Sequence, residues 1–444
     1  MTIFALSTGN SKSGIAVIRI TGEETKNILS KIYKKKLPKP RIATLAKICD
    51  FETNEIIDQG LIIWFPGPDS YTGEDLLELH IHGSKAVISA VLSTLSKFDN
   101  CRLAEPGEFT KLAFENGKLN LLDVEALSDL ISSETEIQRK QALKILSGDV
   151  TKKYTNLRDR LLKILSNIEA KIDFPEEDLP ENILKNIKIE TKDIINLIND
   201  ILNDGRTGEK IRDGFKISIL GPTNAGKSTL LNYLSKREVA IVSDIEGTTR
   251  DIIEVSLNLD GYPVRVTDTA GLRETSDEIE SRGVELALKS AKHADLQLIL
   301  LDAKNPYFST FLDDITDENS ILVLNKSDLI DGTTKLDSSN LKKHILISLK
   351  EELNLDNLIN EIKKRLKDKF LINDNVLISR ERHRLNLEKC IHHLNVFLEN
   401  NSISEFDKAA EDIRIATRYL GKVVGDVDVE EVLGKIFSDF CIGK

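Results

Sequence analysis

The stretch Gly221-Pro-Thr-Asn-Ala-Gly-Lys-Ser228 restricts what this chain can fold into more than any other feature. It satisfies G-x-x-x-x-G-K-[ST], follows directly on the apolar run 216–220, and opens a helical pattern over 229–234. Such a loop works through its backbone: the glycines let amide N–H groups close around a β-phosphate, and the helix N-terminus adds its positive dipole. Lys227 then neutralises β- and γ-oxygens and acts catalytically, Ser228 ligates Mg²⁺, and Asn224, Ala225, Gly226 and Thr229 supply the remaining contacts. A strand, loop and helix of this kind belong to a doubly wound sheet, and residues 215 to about 370 alternate β-rich and helical runs accordingly. Further strands are expected at 264–268, 296–302, 321–325 and 344–348.

Other motifs fall in the order this fold demands. Asp268, Thr269, Ala270 and Gly271 end a strand pair, where the carboxylate can hold a Mg²⁺-bound water and the Gly271 amide can sense a γ-phosphate. Asn325, Lys326, Ser327 and Asp328 end a later strand; the Asp328 carboxylate can accept hydrogen bonds from guanine N1 and N2, which adenine cannot offer, so the motif selects GTP over ATP. Between them lies the loop Ser243, Asp244, Ile245, Glu246, Gly247, Thr248 and Thr249, in which Thr249 can complete the Mg²⁺ shell when a γ-phosphate is present. A fifth nucleotide-loop element, 347–350, is placed by strand position alone. The residue after Gly271 is Leu272, an aliphatic side chain that cannot orient an attacking water. Glu280, in the charged loop 273–282, is either the polar group that does so or part of a solvated acidic loop. No arginine finger is legible, so a monovalent cation held by Asn224 and neighbouring carbonyls can supply the missing positive charge.

At 444 residues the chain has room for two to four domains, and no run of about 18 apolar residues would span a membrane. Nothing at the N-terminus resembles a secretory signal, which gives a cytoplasmic expectation. Cys49, Cys101, Cys390 and Cys441 are scattered without a CxxC pair, so reduced thiols are expected rather than a disulfide framework or zinc knuckle. His80 and His82 alternate along an apolar strand, and Cys390, His392 and His393 crowd one helix; neither set completes a tetrahedral site, and both read as structural. A net charge of -11 argues against indiscriminate nucleic-acid binding. The basic run 31–41 (KIYKKKLPKPR) is a local exception, read in the first place as a solvated loop and in the second as a surface for a folded RNA.

Outside the nucleotide motifs, residues 1–116 mix strand-like runs (14–21, 60–66, 76–82) with helix-like ones (23–33, 84–95), an α+β pattern. From Leu119 the pattern turns helical for almost a hundred residues, and residues 206–214 look like a linker. Helical periodicity returns after Val376, on Leu387, Ile391, Leu394 and Leu398 and then on Phe406, Ala410, Ile413, Thr417 and Leu420. The fold class expected is therefore multidomain α/β and α: an N-terminal α+β domain at 1–116, a discontinuous helical domain at 117–212 and 373–444, and an inserted Ras-like P-loop domain at 213–372.

Five runs outside those motifs carry a specific resemblance: 14–19 (GIAVIR), 65–75 (FPGPDSYTGED), 106–110 (PGEFT), 116–118 (NGK) and 440–444 (FCIGK). They resemble the MnmE (TrmE) family, in register over essentially the whole chain. The resemblance implies a homodimer whose N-terminal domain serves dimerisation and binds 5-formyltetrahydrofolate or a related reduced folate. It also implies an FAD-dependent partner, MnmG, joined in a heterotetramer that adds an aminomethyl or carboxymethylaminomethyl group to C5 of uridine 34 in certain tRNAs. The family's folate contacts fall on Arg19, Glu78, Lys118 and Lys444, its K⁺ ligands on Asn224, Ser243, Ile245 and Thr248, its Mg²⁺ ligands on Ser228 and Thr249, and its water-orienting glutamate on Glu280. Similarity to family members further implies GTPase domains that meet across the dimer through bound K⁺, with rapid hydrolysis and no separate activating protein. The sequence departs from the family at 9–14, where a PPGRGG-like stretch is common, and Cys441 in the tail reads in the first place as a packed thiol and in the second as a nucleophilic or redox one.

Two rival readings are weighed against this one. A ribosome-assembly GTPase would carry an RNA-binding module in its flanks, and no KH-type GxxG loop is apparent in a C-terminal α/β domain. A GTP-controlled scaffold would leave the folate residues as surface charges.

Overall fold

The computed structural model describes every residue other than 10, 174–181, 205, 238, 242–252, 269–291, 305–315, 331–343, 370–376, 400–405, 428–432, 435, 438–439, 441–442 and 444. Among the described residues no helix is long and apolar enough to cross a membrane. The chain divides into two compact units, one of residues 1–131, 145–183 and 392–444, the other of 132–144 and 184–391.

In the first unit, β1 (Thr2–Leu6), β2 (Ser13–Thr21), β3 (Thr44–Cys49), β4 (Ile56–Phe65), β5 (Leu76–Gly83) and β6 (Cys101–Leu103) form one sheet in the order β3-β4-β5-β2-β1-β6. Its pairings are antiparallel except for β1 with β6. Alternation along β2 and β5 sends Ile18, Ile20, Leu77 and Leu79 into a core shared with Ile28 and Leu29 of α1 (Thr25–Tyr33) and Val91 and Leu95 of α2 (Lys85–Ser96). The same alternation turns Arg19, Glu78 and His80 to the opposite face. Asp50 shapes the β3–β4 turn: Oδ1 accepts the Glu52 and Thr53 amides, each at 2.9 Å, and Oδ2 accepts Thr94 Oγ1 at 2.9 Å and Lys97 Nζ at 3.0 Å.

After α3 (Glu108–Glu115) come α4 (Leu121–Ile131), α5 (Glu136–Leu146), α6 (Asp149–Asp173), α7 (Asn182–Leu202) and α8 (Thr207–Asp213). Residues 206–214, expected to be a linker, thus contain a helix. Its formation rests on tertiary partners that local sequence does not display: Ile211 enters the core of the second unit, and Glu209 lies 3.2 Å from Arg384. Arg384 also holds Asp204 at 2.7 Å, a guanidinium only 5% exposed.

The second unit carries β7 (Phe215–Leu220), α9 (Lys227–Arg237), β8 (Val239–Ile241), β9 (Ile253–Leu259), β10 (Tyr262–Asp268), β11 (Leu296–Asp302), β12 (Ser320–Asn325), β13 (His344–Leu346) and α10 (Leu355–Lys369). The sheet order is β13-β12-β11-β7-β10-β9-β8, parallel from β13 to β10 and antiparallel at β9 and β8. Ile217, Ile219, Leu298, Leu300 and Val323 are buried, as the continuous apolar runs of a covered parallel sheet require. Two long helices follow, α11 (Glu381–Glu399) and α12 (Phe406–Val424). The first unit's α12 packs along α6, with Arg414 2.9 Å from Glu169 and Arg158 3.3 Å from Asp426.

Candidate functional site

The β7–α9 connection has the geometry its glycines demand. Gly221 has φ 144°, and a Cβ there would stand 2.1 Å from the Leu300 carbonyl oxygen. Gly226 has φ 103°, with Asn325 Nδ2 2.5 Å from any Cβ. Lys227, the first residue of α9, is 7% exposed and donates from Nζ to the Gly221 and Pro222 carbonyls, each at 2.8 Å. Its ammonium is thereby held across the mouth of the loop. Asn224 sits at the loop crown with φ 61°, and its side chain is exposed beside those of Ser228 and Thr229. A hard cation would find an accessible hydroxyl at Ser228 next to the buried ammonium, a donor set that fits Mg²⁺ with a bound phosphate.

Asn325 joins three loops. It is 3% exposed, donates from Nδ2 to the Ala225 carbonyl at 2.8 Å, and accepts the Leu349 amide on Oδ1 at 3.1 Å. Next to it the Ser348 hydroxyl donates to Asp328 Oδ1 at 2.6 Å, so the 347–350 segment, placed in sequence by strand position alone, orients the Asp328 carboxylate. Lys326, at φ 66°, donates to Asp302 Oδ2 at 2.6 Å. Burial opposes the Asp302 charge, yet the Lys326 ammonium and the Lys304 amide outweigh it and hold the carboxyl below the usual carboxylate range. Asp302 was not singled out in sequence, and Ser348 only as part of the 347–350 segment; their signal is position, Asp302 at the C-terminal end of a parallel strand and Ser348 two residues beyond one, where such sheets bind ligands.

Ser243, Asp244, Ile245, Glu246, Gly247, Thr248 and Thr249, together with Thr269, Ala270, Gly271, Glu280 and Lys444, lie outside the described residues, as does Cys441. Asp268 is described in its backbone, opposite Ile219 of β7 and Ile253 of β9.

On the face of the N-terminal sheet opposite its main core, Arg19 and Glu78 are register partners on β2 and β5. Arg19 Nε donates to Glu78 Oε1 at 2.9 Å, and His80 Nε2 lies 3.1 Å from Glu78 Oε2. The guanidinium stands 5.7 Å above the Tyr71 ring, whose hydroxyl shares a 2.8 Å hydrogen bond with Thr110; burial pushes the Tyr71 phenol up. Tyr71 and His80 join this cluster without having been assigned to it, although Tyr71 lies in the 65–75 run and His80 is two residues from Glu78, on the same strand face. The C-terminal tail returns to this domain: Ser7 Oγ donates to the Gly443 carbonyl at 2.8 Å, beside Leu6, the residue after Ala5, which pairs with Arg19. Lys118 is exposed after α3, and no hydrogen bond links its side chain to Arg19 or Glu78. His82 is bonded to Asp58 at 2.8 Å and His393 to Asp412 at 3.0 Å, and among the described residues no three metal-binding side chains cluster. Burial pushes the Cys390 thiol up to about 12.

Residues 2–118 match the family described as GTP-binding protein TrmE N-terminus, and residues 121–441 match the MnmE helical domain. A tRNA modification GTPase MnmE from Pelagibacter ubique is 59% identical over 444 residues, covering 100% of both chains. One from Rickettsia akari is 42% identical over 447 aligned positions, again covering 100% of each. The chain belongs to the MnmE (TrmE) family. It is accordingly a GTPase. The match extends through the N-terminal sheet and tail, so membership covers both the Arg19 cluster and the nucleotide loops.

Proposed function

We propose that this MnmE-family GTPase couples GTP hydrolysis to modification of the wobble uridine of certain tRNAs, acting with an FAD-dependent MnmG partner and a reduced folate as one-carbon donor. The observation that carries this reading is the 59% identity, over 100% of both chains, to a tRNA modification GTPase. We further propose the division into a folate-binding and dimerising domain at 1–116, a helical domain at 117–212 and 373–444, and an inserted GTPase domain at 213–372, in a cytoplasmic homodimer.

In this reading Lys227 neutralises phosphate oxygens and Asp328, steadied by Ser348, recognises guanine. Ser228 and Thr249 hold Mg²⁺, which when bound offsets charge on the β- and γ-phosphates. Asn224, with Ser243, Ile245 and Thr248, holds K⁺, which supplies the positive charge an arginine finger would otherwise bring. Glu280 orients the attacking water that Leu272 cannot. For the folate, Arg19 pairs with a carboxylate, with Lys118 and Lys444 adding charge at the rim. Glu78 already accepts from both Arg19 and His80, which suits it to fixing the guanidinium and presenting its remaining oxygen edge to a pterin.

Mass spectrometry of wobble uridines from cells lacking this gene tests the function: uridine 34 is expected to lose its C5 substituent, and an unchanged nucleoside profile overturns the reading. Equilibrium dialysis with 5-formyltetrahydrofolate tests the donor; no uptake by the full chain favours a scaffold without a part in the chemistry.

A further inference from the structure

Between Thr25 and Cys49 the chain carries eight basic side chains, Lys26, Lys31, Lys34, Lys35, Lys36, Lys39, Arg41 and Lys47, and no acidic one. With 72 acidic residues in 444, about four would be expected in a span of 25. Residues 1–118 as a whole hold 15 basic and 14 acidic side chains, so the net charge of -11 resides in the remainder of the chain. These 25 residues fold as α1, its following turn and the edge strand β3, and all eight cations are exposed. None forms an ion pair with a described residue; Lys31 instead lies 5.6 Å from the Phe51 ring and 5.4 Å from Phe98, and Arg41 donates to the Asp69 carbonyl. Ordinary structural roles account for part of the set: a helix C-terminus attracts cations such as Lys31 and Lys34, and a lysine such as Lys47 guards an edge strand. Arg41 is accounted for by its bond to the Asp69 carbonyl, but Lys26, Lys35, Lys36 and Lys39 have no such role. Unpaired lysines concentrated around one turn, in a span without a carboxylate and within an otherwise acidic chain, are the footprint of a polyanion.

We propose that residues 25–49 form a docking surface for the phosphate backbone of a folded RNA; resting on the function proposed above, that RNA is the substrate tRNA. An anionic membrane is the less suited occupant. The apolar side of α1, namely Ile28, Leu29 and Ile32, is 0–2% exposed and committed to the core, so the helix has no face to insert. Ile42 and Leu45, the exposed apolar side chains of this span, are too few to anchor one. Pro38 and Pro40 stiffen the turn, which presents its lysines at low entropic cost.

The test compares the full-length protein with a variant carrying Lys34→Gln, Lys35→Gln, Lys36→Gln and Lys39→Gln. A control of equal charge carries Lys111→Gln, Lys140→Gln, Lys152→Gln and Lys363→Gln, each exchanging an ion-paired lysine. Affinity for an unmodified tRNA is measured by fluorescence anisotropy from about 50 to about 200 mM KCl, with thermal melts confirming that each variant is folded. Every phosphate that a lysine no longer neutralises lowers the slope of log K against log salt by about 0.7–0.9, so the patch variant should lose about 3 from the slope and bind at least about tenfold more weakly, with the control unchanged. Equal behaviour of patch variant and control overturns the docking surface while leaving the tRNA function standing. Failure of the wild-type chain to bind tRNA, whether or not it binds phosphatidylglycerol vesicles, overturns both.

Discussion

Replacing Asn325 by alanine tests the claim that one buried amide holds the phosphate loop, the guanine loop and the 347–350 segment in register. The substitution removes a donor to the Ala225 carbonyl and an acceptor from the Leu349 amide, at a position 3% exposed. Both backbone partners are themselves in buried residues, so water cannot readily replace the lost bonds. Leaving a buried polar group unsatisfied costs about 1–3 kcal/mol, which for the two groups sets the total at about 2–6 kcal/mol. For a cooperative unit of about 200 residues, roughly 2–4 °C is lost per kcal/mol, and the melting temperature of the GTPase unit should fall by about 4–24 °C. Asn325→Asp should be at least as damaging: it keeps an acceptor for Leu349 but turns a carboxylate oxygen toward the Ala225 carbonyl in a buried setting. Differential scanning fluorimetry with and without GDP measures both effects, and the GDP-induced rise should shrink because the loop no longer starts in its binding conformation. Melting of Asn325→Ala within about 1 °C of wild type, with an undiminished response to GDP, would refute the reasoning.

GTP turnover should require K⁺ and collapse in Na⁺; equal rates in the two salts would remove the cation from Asn224. Glu280→Ala should lower hydrolysis by about 10²-fold or more while GDP affinity, measured by calorimetry, stays nearly intact, and loss of binding would instead make Glu280 structural. Asp50→Asn should melt below wild type at neutral pH. Hydrogen bonds from the Thr53 amide first, then Lys97 and Thr94, hold the Asp50 carboxyl well below the usual carboxylate range. A depressed folded-state pKa stabilises above the unfolded value of about 4 and is lost as pH falls through the folded one, so the gap between the two proteins should close only in strong acid. A gap that does not vary with pH would count against the ion pair and its turn.

The nucleotide loops were legible in sequence because their chemistry is local. Gly221, Gly226 and Lys227 each answer to a constraint within eight residues, and the strand before them and helix after them appear where periodicity put them. Strands β1, β3 and β6 were not anticipated: they are 5, 6 and 3 residues long and owe their pairing to neighbours elsewhere in the sheet. The helix at Thr207–Asp213 was hidden for a related reason, since Asp204-Gly205 signals a stop and only Arg384, far along the chain, makes burial of Glu209 tolerable.

The two clusters also show why site residues divide into legible and illegible ones. Asp328 could be named from a four-residue motif, whereas Ser348, which steadies it, entered only within the 347–350 segment, placed by the strand before it. Arg19 and Glu78 look like unrelated surface charges, 59 positions apart, until the β2–β5 register makes them partners. What links the two cases is the strand end and the strand face: a sheet converts separation along the chain into adjacency in space, and a side chain acquires a role from the register that places it. Residues whose role comes from backbone conformation can thus be read singly, while those whose role comes from register require the pairing to be known first.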